Sequence, residues 1–184
     1  MYYIVFDLEA TCWENGKSKP NEIIEIGAVK LNEKLEQKEM FSKFVKPVIY
    51  PVLSEFCTKL TTITQKDVDS AMPFEQVMKE FEDWIGLEKE NVILSSWGFY
   101  DKKQIMAECG LKSYSGNISW MLDNHISLKH QFAEIKKIGP CGMKKALDIL
   151  GLPLIGTHHR GIDDALNIAE IFKIIFHELR FPTE

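Results

Sequence analysis

An unbroken apolar run that ends in two acids, Tyr2-Tyr3-Ile4-Val5-Phe6-Asp7-Leu8-Glu9, constrains this chain more than any other stretch of it. Residues two apart share one face of an extended strand. Asp7 and Glu9 therefore project from one side and Phe6 and Leu8 from the other. Two neighbouring carboxylates at the end of a buried strand repel each other and are costly to desolvate, unless a cation lies between them. The run thus predicts both a central strand and a divalent-metal site at its end.

The remainder of the chain is that of a folded globular protein. Of its 184 residues, 45% are hydrophobic and 27% charged, enough to build one domain spanning 1–184 around a substantial core. Its formal charge of −5 and lack of a basic tail argue against a protein that coats nucleic acid, because such affinity comes largely from neutralising phosphates. An enzyme acting on nucleic acid stays open, since bound divalent cations reverse the local potential of an acidic site. Cys12, Cys57, Cys109 and Cys141 have no metal-knuckle or redox-motif spacing. With no secretory signal visible, they lead to the expectation of a reducing cytoplasm. No apolar run reaches the length of a membrane span.

Strands are predicted at 2–9, 21–30, 38–46, 91–96 and 117–122, with a hairpin-like link at Asn32-Glu33-Lys34. Pro47 and Pro51 predict an irregular segment. A short helix follows within 58–70, with Thr64 as cap and Asp67 at the capping-box position. Helices are also predicted from Pro73 onward, through Met106, near 123–133, over 142–150, and from Asp163 to the C-terminal end. Three early strands followed by alternating strands and helices predict an α/β fold, a mixed sheet with helices on its faces.

Four carboxylates and a histidine form the functional constellation: Asp7 and Glu9 from the first strand, Asp101 after the fourth, Asp164 at the start of the last helix, and His159 just before it. Such a set suits hydrolysis of a phosphodiester assisted by two hard cations held by oxygen ligands. A histidine, titrating near 6.5 when unperturbed, takes the proton from the attacking water near neutral pH. Each residue alone has a plainer reading: strand-end polar for Asp7 and Glu9, helix cap for Asp101 and Asp164. Asp163 competes for the last capping role and is given it. The residues themselves leave His158 and His159 as alternatives.

Four separated blocks, DLEAT at 7–11, EIIEIGAV at 22–29, SWGFYD at 96–101 and HRGIDDALNIA at 159–169, resemble the motifs of DEDDh 3′–5′ exonucleases. The intervening stretch 44–71 resembles the branch that trims histone-mRNA ends and small regulatory RNAs, together with bacterial exonucleases of the sporulation-inhibitor type. The resemblance implies a ribonuclease H-like fold with a five-stranded mixed sheet flanked by helices, and two Mg²⁺ or Mn²⁺ ions on Asp7, Glu9, Asp101 and Asp164. The family histidine stands five residues before the last acid, which selects His159. The implied partners are single-stranded 3′ ends of RNA or DNA.

For substrate handling the expected contacts are Ala10 and Thr11 to the terminal sugar, Trp13 and Tyr100 as stacking faces, and Arg160 to a phosphate. The lysine doublets 102–103, 136–137 and 144–145 lie near the expected active edge. Tyr100 stands where several relatives carry tryptophan, and Thr62 where a glycine is usual. Competing functions are an oligoribonuclease-like hydrolase of short oligonucleotides and a noncatalytic nucleic-acid-binding sporulation regulator.

Overall fold

The computed structural model describes residues 1–14, 20–86, 91–117 and 123–182. Its centre is strand β1 (Tyr2–Ala10), flanked by β2 (Ile23–Asn32) and β5 (Val92–Ser96). The sheet continues outward through β3 (Gln37–Lys46) to β4 (Met72–Pro73) on one side and to β6 (His125–Ser127) on the other, in the order β4-β3-β2-β1-β5-β6. β1, β2 and β3 form an antiparallel meander, whereas β5 runs parallel to β1 and β6 parallel to β5. The sheet is mixed, as expected. It gains a sixth member from the two-residue β4, which pairs with the end of β3.

The alternation read in β1 divides two cores. Ile4, Phe6 and Leu8 pack with α3 (Phe74–Ile85) and α4 (Tyr100–Leu111) through Phe74, Phe81 and Ile105. Tyr3 and Val5 face the opposite layer, made of α5 (Leu128–Lys136), α6 (Met143–Leu150) and α7 (Gly161–Ile175). Asp7 and Glu9 continue that second face beyond the apolar part of the strand. A third small cluster, with Ile24, Cys57 and Val68, lies under α1 (Glu55–Thr61) and α2 (Gln65–Asp69).

The register fixes where the functional end of the sheet lies. β2 accompanies β1 along its length, from Tyr2 opposite Asn32 to Ala10 opposite Ile23, with an irregularity after Glu9. β5 accompanies it only from Tyr2 to Val5. The stretch from Phe6 onward therefore has one edge without a strand partner, and the loop after β5 and the start of α4 fill it.

Several local expectations meet the structure closely. Thr64 and Asp67 form a reciprocal capping box at α2, and α6 ends on Gly151 with φ +67. Two are corrected. Residues 123–133 do not form one helix: His125–Ser127 is a strand, and the helix begins at Leu128. Three residues are too few to leave a period in the sequence, and the strand exists because β5 offers it an edge. The one short helix expected within 58–70 is two: before α2 comes α1, which begins at Glu55 and whose cap Ser54 accepts a bond from the Cys57 amide. The strand expected at 117–122 lies almost wholly outside the described residues.

Candidate metal centre and active site

Two glycines bring the last helix onto the acid-bearing strand. Gly27, opposite Asp7 in the β1–β2 ladder, meets Gly161 at the first turn of α7. A Cβ on Gly27 would overlap the Gly161 carbonyl carbon. One on Gly161 would stand 3.2 Å from the Gly27 nitrogen and 3.3 Å from the Asp7 carbonyl oxygen. Backbone thus packs against backbone, and Asp164, one turn into α7, comes down beside Asp7 and Glu9. These three carboxylates each offer an oxygen within 4.8 Å of the others.

Asp101 arrives from the opposite side. Lying in the first turn of α4, its carboxyl accepts the Leu8 amide and hydrogen-bonds the Ser96 hydroxyl. The Leu8 amide is available because β5 has already ended. Behind Ser96 stands His125, with Nε2 2.9 Å from the serine oxygen. Burial pushes this imidazole down to about 4, so it is neutral near pH 7.

The two histidines sit over the acids in distinct ways. His158 Nδ1 lies 3.0 and 3.1 Å from the two Asp164 oxygens. His159 donates its backbone N–H to Asp164 at 3.1 Å and stacks its ring on His158, with centroids 3.9 Å apart. Its φ is +66°, in the left-handed region. Both imidazoles and Asp164 also form a donor group of metal-binding dimensions.

All six of these side chains line one cleft of about 440 Å³, with Trp97, Tyr100 and Met143 as its apolar walls and Lys129 and Lys144 as its cations. Glu9, Asp101 and Asp164 are buried and Asp7 half-buried. Among the described residues no lysine or arginine forms an ion pair with any of the four. The electrostatic consequence is large. Burial, and then the charges of Asp101, Glu9 and Asp164, push Asp7 well above the ordinary carboxylate range. Burial and Asp164 push Glu9 up to about 8. Burial raises Asp101 to about 6 against the bonds from Ser96 and Leu8. His159 moves down, chiefly from burial and the neighbouring His158, with Asp164 pulling the other way. Hard oxygen donors crowded at this density, without a cationic side chain among them, fit a divalent cation, which would relieve the repulsion.

The expected substrate contacts are dispersed around this centre. Tyr100 is exposed, lines the cleft, and accepts a bond from the Asn21 side chain. Trp13 stands edge-on to Tyr50 at 5.5 Å. Ala10 is buried at the end of β1, and Thr11 is engaged at both its amide and its hydroxyl by the Glu22 backbone. Arg160 points away from the cleft lining and binds the buried Glu25 through Nε at 3.2 Å and Nη2 at 3.4 Å. Of the lysine doublets, only Lys144 lines the cleft. Asp163 caps no helix; it accepts the Thr157 amide in the loop before α7.

Sequence reasoning missed Glu25, Ser96, His125 and Lys129. Glu25 carried a signal: an acid inside the otherwise apolar stretch 23–29 of β2. The other three depend on strand β6 and the turn after β5.

A mixed sheet whose central strand ends in this acid cluster defines an α/β nuclease of the ribonuclease H-like class. A family model described as "RNase_T: Exonuclease" matches residues 4–172. ERI1 exoribonuclease 3 of Homo sapiens is 36% identical over 185 residues, covering 95% of this chain and 53% of that protein. ERI1 exoribonuclease 2 of Xenopus laevis is 32% identical over 191 residues, covering 92% of this chain and 28% of that protein. The solved nuclease domain of 3′hExo, a DEDDh family member bound to rAMP, superposes with a TM-score of 0.91 at 32% identity, covering 100% of this chain and 96% of that one. The chain belongs to the DEDDh family of 3′–5′ exonucleases, close to the branch of these relatives. It spans between about a quarter and about half the length of the two curated relatives. The family and the clustered acids support a divalent metal cofactor. No helix among the described residues is long and apolar enough to cross a membrane.

Proposed function

We propose that this chain is a single exonuclease domain that removes nucleotides from the 3′ end of single-stranded RNA or DNA, releasing nucleoside 5′-monophosphates. The observation that carries this reading is the convergence of Asp7, Glu9, Asp101 and Asp164 with two imidazoles in one cleft, in a chain of this family.

The residues divide the work by their surroundings. Asp7, Glu9 and Asp164 are the natural holders of two Mg²⁺ or Mn²⁺ ions, joined by Asp101 from the α4 side. When bound, such ions activate water and neutralise charge developing on the phosphoryl group. The His159 imidazole, its pKa lowered by burial and by His158, accepts the proton of the attacking water. Tyr100 offers a stacking face to a terminal base, and Trp13 a second one beside Tyr50. The backbone near Ala10 and Thr11 supports the terminal sugar. A chain end rather than a duplex interior suits so confined a cleft. The four cysteines, all free, suit a reducing cytoplasm.

End-labelled oligonucleotides incubated with Mn²⁺ test the assignment, with a ladder shortening from the 3′ side as the expected result. Full-rate cleavage by both Asp7→Ala and Asp164→Ala would overturn it. Comparing dinucleotides with longer strands separates this activity from hydrolysis of short oligonucleotides. A matched panel of RNA and DNA strands sets the sugar preference.

A further inference from the structure

Glu25 is wholly buried, faces Glu9 across the β1–β2 ladder, and has no role in holding a cation in the reading above. It is fully engaged elsewhere. Its carboxylate accepts Arg160 through two guanidinium nitrogens and the backbone N–H of Gly161 at 2.9 Å. The guanidinium also lies over the Phe44 ring, 5.3 Å from its centroid. Three consecutive residues are thereby constrained: His159 by its amide on Asp164, Arg160 by its side chain, and Gly161 by its amide. The Asp164 amide in turn donates to the Arg160 carbonyl at 2.8 Å.

His159 meanwhile adopts a left-handed backbone, which a residue with a side chain keeps only when its surroundings hold it there. Arg160 caps α7 without a side-chain bond to the helix; Glu25 takes that place by receiving the Gly161 amide. An acid here also meets the positive end of the helix.

We propose that Glu25 and Arg160 form a positioning clamp, fixing the turn that holds the His159 imidazole and Asp164 over the acid cluster. This rests on the nuclease reading for its kinetic consequences and gives Arg160 a task other than phosphate binding. The clamp acts through His159, so neither residue of the pair touches the substrate. The bidentate geometry is what matters, since a single ammonium on a flexible stem matches a carboxylate less rigidly.

The test combines kinetics on a single-stranded oligonucleotide with a readout that needs no turnover. Glu25→Gln and the partly exposed Arg160→Lys are each expected to lower kcat at least tenfold while changing KM by less than twofold. The loss caused by His159→Ala should shrink by a similar factor in either background, because a displaced imidazole has less to lose. NMR signals of the His159 ring, compared at one pH without substrate, should move or broaden in both variants. If the ring signals superpose on those of the native protein, the clamp is overturned whether or not the chain proves to be a nuclease. A raised KM with unchanged kcat in Arg160→Lys would make Arg160 a phosphate contact instead. Undiminished sensitivity to His159→Ala would reduce the pair to ordinary packing.

Discussion

Two groups of buried acids border strand β2, and they are solved in opposite ways. On the side of α4, Glu22 and Glu108 are both wholly buried and share Lys112, at 3.2 and 2.7 Å. Glu22 also accepts the amides of Val48, Ile49 and Tyr50, and Glu108 that of Ile23. Burial alone would raise Glu22, but those amides and the ammonium hold it below the ordinary range, whereas Glu108 stays raised by burial against the pull of Lys112 and the Ile23 amide. In the acid cluster, Asp7, Glu9 and Asp101 have no ammonium or guanidinium partner among the described residues and are all pushed up. The first group ties a loop and a helix to the sheet. The second is left short of positive charge, as a site that receives cations must be. Burial of acids is common to both; the difference lies in what was supplied to compensate them.

The sharpest break of that contrast is to remove one acid from the uncompensated group. Asp7→Asn or Asp164→Asn should lower turnover by about 10³-fold or more, roughly 4 kcal/mol of transition-state stabilisation. Metal-free Asp7→Asn protein should at the same time melt no lower than the native one, because a like-charge repulsion has gone. The opposite experiment is Lys112→Met, which leaves two buried carboxylates without their counter-charge. A broken buried pair costs about 3–5 kcal/mol, so the variant should melt well below the native protein while keeping its cation requirement. Denaturation and cation titration on both proteins check the pair of outcomes. A destabilised Asp7→Asn with an unharmed Lys112→Met would invert the comparison.

The next effect in size concerns the two histidines. His159→Ala should slow turnover about 10²-fold, the usual contribution of a proton-transfer group. His158→Ala removes a contact to Asp164 and should cost several-fold less. His159 has its pKa lowered by burial and by His158. The neutral, proton-accepting form is therefore reached at a lower pH than for a free imidazole near 6.5. The rising limb of the pH–rate profile should lie on the acid side of that value. Steady-state rates across pH 5–8 read both the limb and the order of the two variants.

How much of this was legible in the residues depends on the range of the interaction that decides it. β1 reads cleanly because its apolar run and its two acids are contiguous. The apolar face of α7, including Ala165, Ile168 and Phe172, follows from helical period. Convergence of the four acids was inferred from motifs and is visible as geometry only once Gly27 meets Gly161. His125–Ser127 was invisible, because a three-residue strand exists only by virtue of the edge beside it. Glu25 looked like one polar position in a strand; its partner lies 135 residues away. Arg160, beside His159 in sequence, read as a phosphate contact, whereas its side chain runs back to the sheet.

The contrast also has a pH signature in the folded protein. Glu9 and Asp101 have folded pKa values above their ordinary ones, at about 8 and about 6 against 4.5 and 3.8. A raised acid favours the folded state below its unfolded pKa, and that contribution is lost as pH rises through the folded value. Metal-free protein should therefore lose stability from about pH 4 to pH 8, by roughly 2 kcal/mol after relaxation of the cluster. Mg²⁺ or Mn²⁺ should raise the melting temperature by several degrees at pH 8 and by less at pH 5. Calorimetry with chelator and with added cation separates the curves. An equal cation effect at both pH values would mean that these acids are already compensated.

The smallest test compares the backbone at the acid cluster with that at the end of α1. Thr62 and His159 both occupy the left-handed region, with φ of +61° and +66°. Such a conformation costs a residue with a side chain about 1–2 kcal/mol, more awkwardly when it is β-branched. Thr62 ends α1, where its amide bonds the Thr58 carbonyl, and glycine is the usual occupant of such an end. Thr62→Gly should therefore stabilise the protein by about 1 kcal/mol, or roughly 2–4 °C for a chain of this size, with turnover unchanged. His159→Gly relieves the same strain but removes the imidazole, so its melting temperature should rise while its activity falls with that of His159→Ala. Opposed shifts of stability and activity at His159, with stability alone moving at Thr62, would locate functional strain at the acid cluster. Falling stability in both variants would mean that the side chains, not the backbone, dominate at these turns.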